Sequence, residues 1–187
     1  MLRQAARTLG LALAVWMWAA LPADAQSETF TATATVKTAG GAAATAPVTI
    51  VVDRKMPEAE VVRYLEAFRS GGAAGLRKAL TGVAPTGSVR VAGGSPTATR
   101  LTLERPTSNG RLLTIVTDTP VVFLGGGAPG AKPREGYDFA VIDLELDGAG
   151  AGAGVFAPAA KVKVVQGVFV VDDYSGEILN LTGVSRK

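Results

Sequence analysis

Residues 57–80, PEAEVVRYLEAFRSGGAAGLRKAL, decide the fold, because they predict the helical part of a chain that otherwise reads as strands and turns. Apolar side chains recur at the i, i+3, i+4, i+7 spacing of one helix face, at Val61, Tyr64, Leu65 and Phe68. Gly71 and Gly72 favour a break, since glycine readily adopts the left-handed conformation that ends a helix. The stretch therefore predicts two helical segments at an angle, which form the plug or the side-cover of an antiparallel β structure and cover an edge or an open end.

On both sides of this stretch, short apolar-alternating segments are separated by glycine- and proline-rich turn signals. The predicted strands are 28–37, 48–53, 88–92, 99–105, 111–118, 121–124, 137–147, 161–165, 168–172 and 177–184. A parallel sheet would need more crossover helices than the chain supplies. We expect an α+β, mostly β domain: an antiparallel barrel or sandwich of about nine strands with one broken helical insertion at residues 57–80.

The alternation also predicts which side chains face the core. In 28–37 the apolar residues point inward and the threonines outward, and in 137–147 the carboxylates point outward. Leu101 and Leu103 are expected to face inward, with Thr102 facing outward. Three glycine-rich segments, 38–46, 125–136 and 148–154, are expected to be loops.

Residues 1–25 have the composition of a cleaved signal peptide, with Arg3 and Arg7 before an apolar core and the sequence Ala-Asp-Ala before the cleavage point. The remaining residues, 26–187, are expected to form a single β-rich domain. This organisation predicts an exported protein, periplasmic or extracellular, without a stable membrane anchor after cleavage. The oligomeric state is left open.

Composition excludes several classes of site. The chain has no histidine and no cysteine, so serine–histidine triads, cysteine nucleophiles and the usual zinc sites are impossible. The net charge of +3 is small, and no basic cluster predicts nucleic-acid binding. Gly125-Gly126-Gly127 follows an apolar segment, but the prolines after it do not favour the helix that a phosphate site requires. We expect no cofactor, no metal and no enzymatic activity.

Carboxylates supply the remaining chemical alternatives. Two acidic groups could in principle bind calcium, but both are more typical of solvated strand and turn faces: Asp143, Glu145 and Asp147, and Asp172, Asp173 and Glu177. A carboxylate enzyme would need a pair such as Asp53 with Glu58, or Asp172 with Asp173, to converge in a cleft.

Several segments in a fixed order resemble one uncharacterised family of small exported bacterial proteins. They are VTIVVDR (48–54), SGGAAGLRKAL (70–80), GVAPTGSVRV (82–91), NGRLLTIVTDTPVVF (109–123), YDFAVIDLELDGAGAGAG (137–154) and AKVKVV (160–165). The resemblance implies export and a single domain. It supplies no catalytic or binding residue.

Barrels often enclose small ligands, and aromatic residues concentrate in the C-terminal half of this chain. The leading hypothesis is therefore a non-enzymatic exported domain that binds an apolar small molecule or a lipid-like ligand. The candidate pocket residues are Leu65, Phe68, Leu76, Leu80, Phe139 and Phe169. The alternative is a structural or protein-interaction module of the cell envelope, with an envelope protein as its partner and the threonine face of 29–35 as its docking surface.

Overall fold

The computed structural model describes residues 27–37, 43–121, 135–174 and 178–187. The predicted signal peptide, residues 122–124 and most of the predicted loop at 125–136 lie outside the described residues. Within these ranges the chain forms one helix, α1 (Glu58–Leu80), and nine strands. The strands are β1 (Glu28–Lys37), β2 (Ala43–Val52), β3 (Gly87–Val91), β4 (Thr97–Thr107), β5 (Gly110–Thr117), β6 (Phe139–Asp147), β7 (Gly152–Val165), β8 (Val168–Tyr174) and β9 (Leu179–Arg186).

The strands form a closed antiparallel barrel and not a sandwich. Neighbouring strands follow the order β6-β5-β4-β3-β2-β1-β9-β7, and β7 pairs again with β6 to close a ring of eight. The ninth strand, β8, extends the wall by pairing with the second half of β7. The predicted fold class, mostly β with about nine antiparallel strands and a broken helix, is confirmed.

The barrel interior is filled by side chains from around the ring. They form one apolar cluster whose largest fully buried members are Phe30, Ile50, Leu113, Ile115, Ile142, Leu144 and Phe156. Alternate apolar residues of β1 and β6, from Phe30 and Ala140 onward, point inward as predicted, with threonines or carboxylates between them on the outer face. Phe139 and Val141 of β6 are apolar too, but they face outward. Eight strands enclose a space just wide enough for such a filling.

Helix α1 lies against the outside of the barrel wall. Its buried residues Tyr64, Leu65, Leu76 and Leu80 join a second apolar cluster with outward-facing side chains of β4 to β8. The backbone leaves helical geometry at Gly72, with φ 58° and ψ −150°, so the predicted break is confirmed. The helix thus covers a side of the barrel. Within the described ranges no helix is long and apolar enough to span a membrane.

Two predicted loops are partly strand. Strand β2 begins at Ala43, inside the predicted loop 38–46, and β7 begins at Gly152, inside the predicted loop 148–154. Small residues suit β7 because it runs very close to the backbone of β6: a side chain on Gly152 would overlap the carbonyl oxygen of Glu145. Val121 is described outside any strand, so the predicted strand 121–124 is wrong at that residue.

The predicted faces of β4 are also reversed. Leu101 and Leu103 point to the outer cluster beneath α1, while Thr102 is fully buried on the opposite face. Its hydroxyl donates to the Thr86 hydroxyl at 2.9 Å, and the Thr86 and Thr99 hydroxyls lie 3.0 Å apart. A buried hydroxyl is tolerated when it is hydrogen-bonded in this way. The predicted alternation of β4 is correct, but its apolar side chains face outward, because α1 covers the outer face of this strand.

Candidate functional site

The six predicted pocket residues converge in one place, the seam between α1 and the outer barrel wall. Leu76, Leu80 and Phe139 are fully buried there, and Leu65 and Phe169 are nearly so. They pack in an apolar cluster outside the barrel, not around its interior. Their role as a ligand pocket stays a prediction.

Phe68 is the exception, because it is only half-buried at the edge of this seam. Its ring meets Phe169 edge-on, with 5.9 Å between the centroids and 84° between the planes. Half-buried valines of the β7–β8 hairpin, Val164 and Val171, pack against the same cluster. Apolar side chains at the edge of the seam are therefore partly exposed to solvent where α1 crosses the hairpin.

In the two candidate catalytic pairs, three of the four carboxylates bind a partner outside their pair. The exposed Asp53 accepts a hydrogen bond from Ser27, and Glu58 is also exposed. Asp172 pairs with Lys163, while Asp173 accepts a bond from the Tyr137 hydroxyl at 2.6 Å. Among the described residues no group of three or more acidic side chains could hold a metal ion; Glu177 lies outside them.

A second cluster, which we call the charged end, lies where β1 and β5 begin and β9 ends. It consists of Glu28, Lys55, Glu104, Arg111 and Arg186. The four strand residues share the inward-facing positions of their strands, as the alternation with buried neighbours shows. These charged side chains therefore lie across one open end of the barrel.

Glu28 is the centre of the charged end. Its side chain is only 9% exposed and accepts from Arg111 at 2.6 Å, from Lys55 at 3.2 Å and from Arg186 at 3.2 Å. Glu104, at 33% exposure, shares two of these cations, with Lys55 at 2.6 Å and Arg111 at 3.0 Å. Three cations thus surround two carboxylates.

The environment of Glu28 lowers the pKa of its carboxyl group. Burial alone would raise the pKa of this carboxyl, but hydrogen bonds and positive charge from Arg111 and Lys55 outweigh it and hold the pKa below its ordinary value. The hydrogen bond to Glu28 raises the pKa of Arg111, although burial opposes this. A buried, multiply paired carboxylate at the edge of a cleft is a candidate site by physical criteria.

Two clefts open beside the charged end. One of about 530 Å³ lies between residues 27–28 with 52–55 and residues 186–187, and another of about 540 Å³ lies beyond Arg186, against Gly110, Arg111 and Asp147. Both volumes are in the range of small-molecule sites. Arg186 lines both clefts.

Sequence reasoning did not identify the charged end. The bonds that Glu28 accepts from Arg111 and Arg186 join residues 83 and 158 positions apart, and no local motif links them. One signal was available: Glu28 and Arg111 each occupy an inward-facing position of an alternating strand. A charge on an apolar face demands a partner, but its identity follows only from barrel closure.

We expect Glu28→Gln to lower the free energy of unfolding by about 2–3 kcal/mol at pH 7, since it leaves cations without their buried partner. Because folding lowers the pKa of Glu28, its ionised carboxylate stabilises the fold at pH values above the unfolded-state pKa of about 4.3. This stabilisation is lost as the pH falls through the folded-state pKa. Urea unfolding between pH 7 and pH 3 should therefore show a weaker acid dependence in Glu28→Gln.

Glu104→Gln is the matched control, because it shares Lys55 and Arg111 but is more exposed. We expect it to cost at most about 1 kcal/mol. Equal effects of the two variants at pH 7, or an unchanged acid dependence in Glu28→Gln, would contradict the central position given to Glu28.

Fold and site together define a closed antiparallel barrel with an external kinked helix and one charged end. No protein-family model, curated protein or solved structure matches this chain. The family resemblance of its sequence segments therefore stays a prediction.

Proposed function

We propose that this protein is an exported, non-enzymatic binding domain whose ligand is an apolar small molecule or a lipid-like molecule. The observation that carries the proposal is the convergence of all six candidate residues on the seam between α1 and the barrel wall. The proposed export rests on the composition of residues 1–25, and the non-enzymatic character on a chain without histidine or cysteine.

The seam is a better candidate than the barrel interior. Interior side chains such as Phe30, Ile142 and Phe156 are fully buried in one cluster and occupy the space that a ligand would need. In the seam, by contrast, Phe68 and the hairpin valines are half-buried. A ligand that covers them gains apolar burial, at about 25 cal/mol per Å².

The break in α1 allows the helix to move beside the exposed edge of the seam. A side chain added at Gly71 or Gly72 would meet no atom of the neighbouring described residues within 4 Å, so among these residues none packs against that side of the helix corner. Hinges need a few residues that can absorb a change of backbone angle, and Gly72 already has a positive φ. We therefore place ligand entry at Phe68, beside the helix corner.

The test is a fluorescence titration with N-phenyl-1-naphthylamine, followed by displacement with palmitate. We expect saturable binding that Phe68→Ser weakens at least about tenfold, equivalent to 1.4 kcal/mol. Val62→Ser is the matched control, since Val62 is on the same helix but 48% exposed. Absent saturable binding, or an equal loss in both variants, would refute the seam as a ligand site.

A second candidate, an interaction module of the cell envelope, is favoured by the opposite wall of the barrel. There β1 places Thr31, Thr33 and Thr35 beside Thr49, Pro47 and Thr45 of β2 and beside Ser185, Thr182 and Asn180 of β9. This patch carries no charge and stands outside the helix-covered side. Site-specific crosslinking from Thr33 in cells discriminates: a reproducible adduct together with ligand-free protein would favour the module over the ligand carrier.

A further inference from the structure

The cleft of about 530 Å³ at the charged end, here called the cationic cleft, is independent of the seam. Its lining consists of Ser27, Glu28, Val52, Asp53, Arg54, Lys55, Arg186 and Lys187. Four of these side chains carry positive charge and two carry negative charge, so the walls have an excess of two positive charges. In a chain with an overall net charge of only +3, this is a local concentration.

The two carboxylates of the cleft are already engaged. Glu28 accepts from Lys55, Arg111 and Arg186, and Asp53 accepts the Ser27 hydroxyl at 2.9 Å. Arg111 does not line this cleft, so it neutralises part of Glu28 from behind. Two lining cations are compensated from outside the cleft in the same way, because Glu104 pairs with Lys55 at 2.6 Å and Glu60 lies 3.8 Å from Arg54. Counted with these partners, five cations face four carboxylates, so the cleft keeps an excess of one positive charge.

Several donors in the cleft remain available to a ligand. Arg186 is 48% exposed, and within the described residues its guanidinium binds through Nη1 alone, to Glu28. Lys187 forms no ion pair with any described residue. A guanidinium has five N–H donors and an ammonium three, so these two side chains can bind an anion without giving up an existing partner.

The backbone holds both walls in place. The Arg186 and Lys187 amides donate to Gly150 and Thr29, at 3.1 Å and 2.9 Å. On the other wall the Asp53 and Arg54 amides both donate to the Thr86 carbonyl, at 2.9 Å and 3.1 Å. The cations are therefore mounted on fixed backbone, which lowers the ordering cost of binding.

We propose that the cationic cleft binds a small molecule through a carboxylate or phosphate group. The anion lies between Arg186 and Lys187 on one wall and Arg54 and Lys55 on the other. Arginine suits either group, because its planar fork matches both oxygen geometries. This site is separate from the proposed seam and does not depend on it.

The test is an NMR titration of the full-length protein with inorganic phosphate and, separately, with succinate. We expect saturable shifts of amides around Asp53 and Arg186, weakened by 0.5 M NaCl because exposed charges are screened. Lys187→Gln should weaken binding by about threefold and Arg186→Gln by about tenfold, in line with exposed and charge-assisted contacts respectively. A response to phosphate alone, to succinate alone, or to both supports the site and distinguishes its anion.

Arg90→Gln is the matched control, since it removes an exposed arginine in the middle of the barrel wall, on β3. Lys187→Gln keeps the test valid if Arg186→Gln disturbs folding, because Lys187 takes no part in the described ion pairs. Unsaturable shifts for both anions, or an equal loss in Arg90→Gln and Lys187→Gln, would overturn the proposal.

Discussion

Phe139→Ala is expected to lower the free energy of unfolding by about 3–5 kcal/mol, the usual cost of removing a fully buried aromatic ring. Phe139 is 0% exposed and stands on the outer face of β6, in the cluster that also contains Leu76 and Leu80 of α1. Its loss leaves a cavity between helix and wall. For a chain of this length the change corresponds to about 2–4 °C in Tm for each kcal/mol.

Phe68→Ala is the matched control, because it deletes the same atoms from a half-buried position in the same cluster. It should cost only about 1–2 kcal/mol, since much of its ring surface already meets water. Urea unfolding at pH 7 measures both. Similar losses in the two variants, or less than about 1 kcal/mol in Phe139→Ala, would show that the seam is not the tight packing described.

The sequence predicted most of the fold because the dominant signals are local. The alternation of Glu28–Lys37 matches β1 residue for residue, and the Gly71-Gly72 pair marks the corner of α1. Whether the strands close a barrel or pack as a sandwich is not a local property. It depends on the pairing of β7 with both β6 and β9, which no segment encodes alone.

The errors at β4 come from the second apolar layer. Alternation shows that Leu101 and Thr102 face opposite ways, but not which of them faces the barrel axis. Because α1 covers the outside of this wall, the leucine faces the helix and the threonine the interior. The helix was predicted, but its docking position was not, so the inner and outer faces could not be assigned.

Of the two candidate sites, the seam was predicted from local sequence patterns and the charged end was not. The seam residues were found because each stands in an apolar periodic segment, and apolar residues of one domain tend to collect. The charged end was missed because charged residues are normally solvated, and sequence does not show that Glu28 would be buried among three cations. Long-range ion pairing requires the closed ring.

Gly152→Ala is expected to cost about 3 kcal/mol or more, because the added methyl would overlap backbone and not a movable side chain. Its Cβ would collide with the Glu145 carbonyl oxygen and lie 3.2 Å from the Leu146 Cα. Both atoms belong to β6, the strand that closes the barrel against β7. To accommodate the added methyl, β6 and β7 would have to separate where they close the barrel.

Gly148→Ala, in the same glycine- and alanine-rich segment, is the matched control. The added methyl would meet no atom of the described part of the chain within 4 Å, and the φ of Gly148 is not in the left-handed region. We therefore expect neutrality or a gain of about 0.4–1 kcal/mol from the stiffer unfolded chain. Thermal unfolding of both variants measures the difference. If Gly152→Ala were as stable as Gly148→Ala, then residues 152–154 would behave as the loop that composition suggests, and the β6–β7 closure would have to begin further along the chain.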